Sequence, residues 1–443
     1  MIATKNQSTD RADIIDASSR PDIIVGLDIG TTKICVIVAA PDREHDTVNI
    51  LGVGVAESSG LNRGVVVNIE KTVRSIELAV ERAEMSSGVK IHDVYVGIAG
   101  DHIQSFQTRN IIAISNPSGE ITQSDVQRLI EDSHNIAIPS DRRILHIIPQ
   151  DFIIDGQDGI TDPIGMSGVR MEANVHVVTG LVTAIQNIHR CIERAGLKVR
   201  ELVLEPIASS HAVLDKAEKE IGVALVDIGG GTTDVAIFED GVIRHTAMFG
   251  IAGNKVTDDV KKGLGIIQTQ AESVKLTYGH AHQQSIMQDE VFMIPGINGR
   301  KPMEVSKSLL CQIIQPRMEE IFEFAFAEIK RSGYARNLSG GIVITGGCSQ
   351  LRGAEELAEQ VFGMPVKIGI PSGVIEGGLA PEVQAPMYAT AVGLVLYALN
   401  SNANVHQEIP YQDVQTPISP SQKTNENGYK TFISRVKNFF DEL

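Results

Sequence analysis

Two stretches decide how this chain folds: VGLDIGTTKICVIVA at Val25 to Ala39, and ALVDIGGGTTDVAIF at Ala224 to Phe238. Each begins as an apolar, β-branched run, ends at Asp-Ile-Gly, turns through Gly and Thr, and returns as a second apolar run, which reads as a β-hairpin. The second copy repeats the first in outline, so the chain carries an internal duplication and two similar domains are expected. Gly30, Thr31, Thr32 and Lys33 form one turn; Gly229, Gly230, Gly231, Thr232 and Thr233 form the other. Glycine reaches positive φ, so backbone N–H groups can converge on an anion while the threonine hydroxyls add donors. Either hairpin alone reads as well as an ordinary tight turn; two facing each other make a phosphate clamp. Asp28 and Asp227, one at the end of each first strand, are placed to hold the waters of a magnesium ion bridging phosphates, and Lys33 adds a positive charge.

Outward from these hairpins, strand-like runs alternate with helical stretches from Asp22 to about Asn400, the pattern of an α/β fold. With 443 residues, 42% of them hydrophobic, the chain is long enough for two or more domains with cores of their own. A net charge of -16 argues against nucleic acid as a partner, because polyanions are met by basic surfaces. Cys35, Cys191, Cys311 and Cys348 are scattered, without CxxC pairing or metal-ligand spacing, which suits a reducing cytoplasm. The first twenty residues lack the apolar core of a signal peptide. The longest apolar stretches, such as Tyr388 to Leu399, fall short of the ~20 residues a membrane-spanning helix needs.

The duplicated Asp-Ile-Gly turns resemble the phosphate-1 and phosphate-2 motifs of the actin, Hsp70 and sugar-kinase superfamily. GGIVITGGCSQLRGAEELAEQV, at 340–361, looks like that superfamily's adenosine motif, with its turn at Gly346 and Gly347. The resemblance implies ATP and Mg2+ as cofactors. In AESVKLTYG, Glu272 and Lys275 stand three apart on one helical face. By pattern they are a solvated ion pair; in Hsp70-like relatives the same E-x-x-K helix contacts adenosine. Glu205, in LVLEPIASSHAVL, is similar to the acidic residue that orients the attacking water in these ATPases, which implies a catalytic set of Glu205, Asp28 and Asp227. The activity so implied is ATP binding with at most slow ATPase activity.

RRILHIIPQDFIIDGQDGITDPIGMSGVRMEANVHVVTG, at 142–180, closely resembles a stretch characteristic of the FtsA family. The segments at 250–279 and 385–399 look like that family too, so the resemblance runs from about Asp22 to Leu399. Cys348 departs from the Gly or Ala that often follows the Gly-Gly pair, and is expected to tighten the adenine pocket. The resemblance implies an actin-like, ribonuclease H-like two-domain ATPase fold with an FtsA-type 1C subdomain inserted in the first domain. Its expected layout is a disordered 1–21, domain 1A at 22–90 and 172–220, subdomain 1C at 91–171, domain 2A at 221–255 and 331–400, and subdomain 2B at 256–330. The residues themselves support an N-capped helix starting at Thr122, then an extended run at Arg143 to Ile154.

Ser401 to Gly428 is rich in Asn, Gln, Ser, Thr and Pro and reads as a flexible linker of about 30 Å root-mean-square reach. In YKTFISRVKNFFDEL, at 429–443, Tyr429, Phe432, Ile433, Val436, Phe439, Phe440 and Leu443 share a helical arc of about 120°. Lys430 and Lys437 flank it on one side and Arg435 on the other, as expected of an interfacial helix on anionic lipid; a helix docking on protein has the same periodicity. Asp441 and Glu442 temper the basic charge. Such a tail binds marginally alone, and a filament carrying many gains avidity. The family resemblance implies a peripheral protein at the cytoplasmic face of the inner membrane, at the division septum. Its implied partners are copies of itself, later division proteins and the FtsZ C-terminal peptide. That peptide is expected on subdomain 2B, with Arg300 and Lys301 as candidate contacts or else ordinary solvated charges. A PilM-like pilus-assembly protein or a small-molecule kinase of the superfamily needs the same hairpins but not the tail. A chaperone of the Hsp70 type would carry a large substrate domain instead.

Overall fold

The computed structural model describes residues 23–296, 299 and 301–403, together with the two-residue strand Ile15–Asp16. The carboxy-terminal helix expected at 429–443, the linker beyond 403 and Arg300 lie outside the described residues. Ile15–Asp16 pairs in parallel with Val89–Lys90, so part of the amino-terminal stretch expected to be disordered joins a sheet. The last helix, Ala389–Ala403, runs past the expected linker start at Ser401.

IVGLDI, at Ile24–Ile29, and VALVDI, at Val223–Ile228, are buried at every position, which places each in the middle of a sheet covered on both faces. Around each the chain builds the same five-stranded arrangement. In the first half the order is Lys198–Leu204, Asp93–Ile98, Ile24–Ile29, Lys33–Asp42, Thr47–Glu57; in the second it is Val366–Ile368, Ile342–Thr345, Val223–Ile228, Thr233–Glu239, Val242–Phe249. Three strands form an antiparallel meander and two join in parallel, in both halves. The duplication seen in the hairpins therefore extends to whole sheets. This is the two-domain, actin-like architecture.

The halves meet at their base. Glu205–Val213 crosses Ala389–Ala403 so closely that a Cβ on Gly393 would lie 2.0 Å from the Ala208 carbonyl oxygen. Ile37 of the first sheet, Leu225 and Val343 of the second, and Val392 and Val395 of the last helix share one buried cluster. Among the described residues no helix is long and apolar enough to cross a membrane.

Between Asp93–Ile98 and Lys198–Leu204 the first half carries an inserted antiparallel sheet, ordered Gln157–Ile160, Arg142–Ile154, Arg170–Leu181, Gln104–Ala113, with the helix Gln123–Ser133 packed on it. Thr122 starts that helix: its backbone N–H and hydroxyl both donate to Asp125, at 3.0 and 2.6 Å. The sheet's strands span 104–181, later in the chain than the expected 91–171. Asp93–Ile98 pairs with Ile24–Ile29 and belongs to the first sheet, while Arg170–Leu181 is the insert's own central strand.

Pro149 sits inside the long strand Arg142–Ile154, where the pairing slips between Pro149 and Asp151. A proline cannot donate to the ladder, and a bulge re-aims the residues beside it. Gln150 donates to the carbonyls of Ile243 and Arg244, at 2.8 and 3.0 Å, and Asp151 receives the buried Arg244 guanidinium at 2.7 Å. Gln107, Ser105 and His176 reach the same strand, Val242–Phe249, through Arg244 O, Thr246 O and Thr246 Oγ1. The insert thereby covers the open edge of the second sheet. Arg244 also holds Asp240 at 2.7 Å. Arg244→Ala is expected to cost about 2 kcal/mol, because it strips two carboxylates of a shared, buried partner. Thermal denaturation should show the midpoint falling by several degrees, and Arg244→Lys should recover part of the loss.

Candidate functional site

In the first hairpin Asp28 pairs with Cys35 and Ile29 with Ile34; in the second Asp227 pairs with Asp234 and Ile228 with Thr233. Both aspartates end strands buried on each side, so their side chains leave the core at the floor of one cleft. The Gly229 N–H donates to Thr232 O at 2.9 Å and closes the second turn. The two turns then meet. A Cβ on Gly230 would stand 2.4 Å from Thr32 Cγ2, and one on Gly231 would stand 2.5 Å from Thr31 Oγ1. Gly346 seals a third side: its φ is +85°, and a Cβ there would lie 2.4 Å from Asp227 Oδ1. Asp28, Gly30, Thr31, Thr32, Lys33, Glu205, Asp227, Gly229, Gly230, Gly231, Thr232, Gly346 and Gly347 all line this cleft, as the sequence leads one to expect.

Four carboxylates, Asp28, Asp227, Asp234 and Glu205, share the cleft with one cation, Lys33. Lys33 Nζ stands 4.0 Å from Asp28, donates to Met387 O and lies 4.4 Å from the centre of the Tyr388 ring. Burial pushes Asp28 up to about 6, against the pull of Lys33 and with the help of the Asp227 charge. Glu205 is held well above the usual carboxylate range by burial and then by Asp28, Asp234 and Asp227. Asp234 rises likewise, through burial and its cross-strand neighbour Asp227. Burial also raises Asp227, although Ser209, donating at 2.7 Å, and Thr390 stabilise its ionised form. Asp234 Oδ1 is buried without a hydrogen-bond partner among the described residues.

Such a floor holds protons or attracts a cation. An anion bound by the hairpins would sit comfortably there only with a metal ion between it and the carboxylates. Among the described residues no group of three or more His, Cys, Asp or Glu forms a direct metal cage, so water and ligand oxygens would complete the shell of an ion beside Asp28 and Asp227.

Glu272 and Lys275 fall outside the cleft lining. They lie on the helix Gln268–Tyr278, 2.8 Å apart, and Lys275 Nζ also donates to Thr257 Oγ1 at 3.0 Å and Gly253 O at 3.3 Å. Gly253 in turn donates its N–H to Gly229 O at 3.1 Å, so the pair buttresses the second hairpin from behind. Cys348 is buried beside Gly253, with its Sγ 3.7 Å from Met318 Sδ. Thr233 also stands behind the lining, donating to Ile251 O at 2.8 Å. Lys301 is exposed.

Asp234, Ser209, Pro386, Met387 and Thr390 belong to the site without having been singled out in the sequence. Asp234 was the readable one. Asp227 and Asp234 each stand two residues from the four-residue turn Gly229 to Thr232, so hairpin register alone sets them opposite each other. Ser209 and Thr390 offered no such signal, since the helix crossing at Gly393 is what brings them to Asp227.

The family profile described as cell division protein FtsA matches residues 224–393, one described as the SHS2 domain inserted in FtsA matches 100–179, and one for Hsp70 protein matches 184–250. The cell division protein FtsA of Pseudomonas aeruginosa is 45% identical over 382 residues, 86% of this chain and 90% of its own length. That of Escherichia coli K12 is 37% identical over 405 residues, 89% of this chain and 94% of its own. Among solved structures, a PilM–PilN type IV pilus biogenesis complex superposes with a TM-score of 0.62 at 16% identity, covering 85% of this chain and 98% of its own. MreB5 of Spiroplasma citri bound to ADP superposes with a TM-score of 0.51 at 16% identity, covering 87% and 99%. Both are likenesses of fold.

The raised acid at Asp28 fixes the sign of a pH effect. Between its ordinary value of 3.8 and about 6, the folded chain holds a proton that the unfolded chain releases. The associated stability is therefore full below pH 3.8 and lost as the pH rises through about 6. The shift corresponds to about 3 kcal/mol, at about 1.36 per pH unit. Asp28→Asn should thus gain stability over the parent at pH 7.5 and little at pH 4; urea denaturation of the ligand-free pair at both values measures the difference.

Proposed function

The chain belongs to the FtsA family of cell-division proteins, and from that premise we propose that it binds ATP with Mg2+ in the cleft, assembles with copies of itself, and tethers FtsZ to the cytoplasmic membrane. The observation that carries the nucleotide reading is the contact of two glycine-threonine hairpins above Asp28 and Asp227. Their backbone N–H groups and the hydroxyls of Thr31, Thr32 and Thr232 receive phosphate oxygens. Asp28 and Asp227 hold the ion's water shell, and Lys33 contributes one positive charge. An ion so placed supplies charge neutralisation between phosphates and carboxylates. The Gly346–Gly347 turn meets the adenosine, with Glu272 and Lys275 supporting that side.

Glu205 orients a water. Burial and then the neighbouring acids Asp28, Asp234 and Asp227 raise the Glu205 carboxyl, which disfavours its ionised, water-activating form, so in this reading hydrolysis is at most slow and the cleft acts chiefly as a switch between nucleotide states. In this reading the first half is domain 1A, the insert is subdomain 1C, which meets later division proteins and neighbouring copies, and 256–330 forms subdomain 2B. Subdomain 2B, with Arg300 and Lys301, takes the FtsZ C-terminal peptide. Lys430, Phe432, Ile433, Arg435, Val436, Lys437, Phe439, Phe440 and Leu443 form the lipid-facing helix, placing a peripheral protein at the septum.

Asp227→Asn should weaken Mg-ATP binding by about tenfold or more, through loss of a charged contact, while leaving the fold intact; isothermal calorimetry reads this directly. For the tether, co-sedimentation with vesicles containing anionic lipid would compare the full chain with a truncation ending at Gly428, with and without Mg-ATP. Pelleting of the full chain alone, strengthened by ATP, is expected. Both proteins staying in solution would sink the membrane role and leave a soluble adaptor of the PilM type.

A further inference from the structure

Lys33 is the single cation among the residues lining the cleft, and it is already engaged by Asp28, Met387 O and the Tyr388 ring. A nucleotide's terminal phosphate would bring further negative charge to a floor that already carries four carboxylates. A second cation, Arg63, lies outside the lining on a loop tied to the first hairpin. The Gly64 N–H donates to the hydroxyl of Thr31, at 3.2 Å, and so ties the loop at 60–64 to the first hairpin. That loop is tightly set: the Val67 and Asn68 N–H groups close on Gly60 O, at 2.8 and 3.0 Å, and a Cβ on Gly64 would lie 2.5 Å from Ala99 O.

At its tip Arg63 has a φ of +49°, a left-handed conformation that costs a residue with a Cβ about 1 kcal/mol. Its side chain leaves the first half and lies on the second. A Cβ on Gly250 would stand 2.6 Å from Arg63 Cδ and 3.3 Å from Nε. Gly250 precedes the helix Gly253–Leu264, whose Gly253 and Asn254 N–H groups donate to the carbonyls of Gly229 and Gly230, at 3.1 and 2.7 Å. Arg63 therefore spans from the segment that fixes Thr31 to the segment that fixes the second hairpin. Among the described residues no ion pair or hydrogen bond engages its exposed guanidinium. A strained, bridging arginine without a carboxylate is poorly explained by stability, because an apolar side chain would fill the same contact without holding a charge beside the hairpins.

We propose that Arg63 is the residue that distinguishes a nucleoside triphosphate from a diphosphate, its guanidinium donating to the terminal phosphate while its stem rests on Gly250. The proposal rests on the nucleotide reading of the cleft. With a triphosphate bound, the fork of donors joins the ligand to both halves; with a diphosphate the contact has no acceptor. Arginine suits this task because its planar fork matches phosphate geometry and stays charged at any pH the protein meets.

The test measures Mg-ATP and Mg-ADP dissociation constants for the full chain, for Arg63→Ala and for Arg63→Lys, beside the thermal midpoint of each ligand-free protein. Loss of one charge-assisted contact should weaken ATP about tenfold or more in Arg63→Ala. ADP affinity should stay within about twofold, and Arg63→Lys should fall between. ATP affinity unchanged in Arg63→Ala overturns the proposal. So does an equal loss for ATP and ADP with a lowered midpoint, which would make Arg63 a structural strut. A parent chain that binds neither nucleotide overturns the nucleotide reading itself, a failure distinct from that of Arg63.

Discussion

The two hairpin turns touch where there is no room for a methyl group. Thr31 and Thr32 of the first half press on Gly230 and Gly231 of the second, and a side chain at either glycine would meet a threonine at about the length of a strong hydrogen bond, too close for carbon. This contact sets how near the two sheets approach, and hence where Asp28 and Asp227 stand relative to each other. A second close approach, Gly393 on the Ala208 carbonyl, holds the opposite end. Between these points the halves share one apolar cluster. A cleft built this way is shaped by backbone surfaces, which present N–H donors and lose little conformational entropy when a ligand binds.

Electrostatics runs against stability in the same place. Asp227 and Asp234 face each other across the hairpin, an arrangement that ordinarily destabilises a sheet. Asp28 and Glu205 crowd the same floor. The fold tolerates this because strands buried on both faces fix the backbone, and because Ser209 and Thr390 offset part of the cost at Asp227. A cation bound there would offset this repulsion. Sites that depend on ligands are commonly made in this way, from groups poorly satisfied without them.

The insert adds a further coupling between the halves. It grows from the first half, yet its Gln150 and Asp151 grip Val242–Phe249, the edge strand of the second sheet. That strand leads through Gly250 into the helix Gly253–Leu264, whose first two N–H groups donate to the second hairpin. The insert and the second hairpin are thus joined to the same short run of backbone, with the bulge beside Pro149 placing Gln150 and Asp151 for the contact.

Much of this was legible from residues alone. Strand, turn and strand in each hairpin follow from β-branched runs broken by Gly and Thr, and the repetition of Asp-Ile-Gly foretold two matching domains. The helix begun by Thr122 and the extended run after it were equally plain, because capping and β-branching are local effects. Thirteen of the expected residues line one cleft, ten of them read from the two hairpins and Glu205, Gly346 and Gly347 implied by the family resemblance. What the sequence could not decide was distance between segments far apart in the chain. That Ser209 and Thr390 serve Asp227, that Glu272 and Lys275 connect to the second hairpin through Gly253, and that Arg63 lies on Gly250 all depend on packing two sheets about a common base. The edges of the insert depend on packing in the same way: strand propensity identifies Asp93–Ile98 and Arg170–Leu181 as strands, but only pairing says which sheet each one joins.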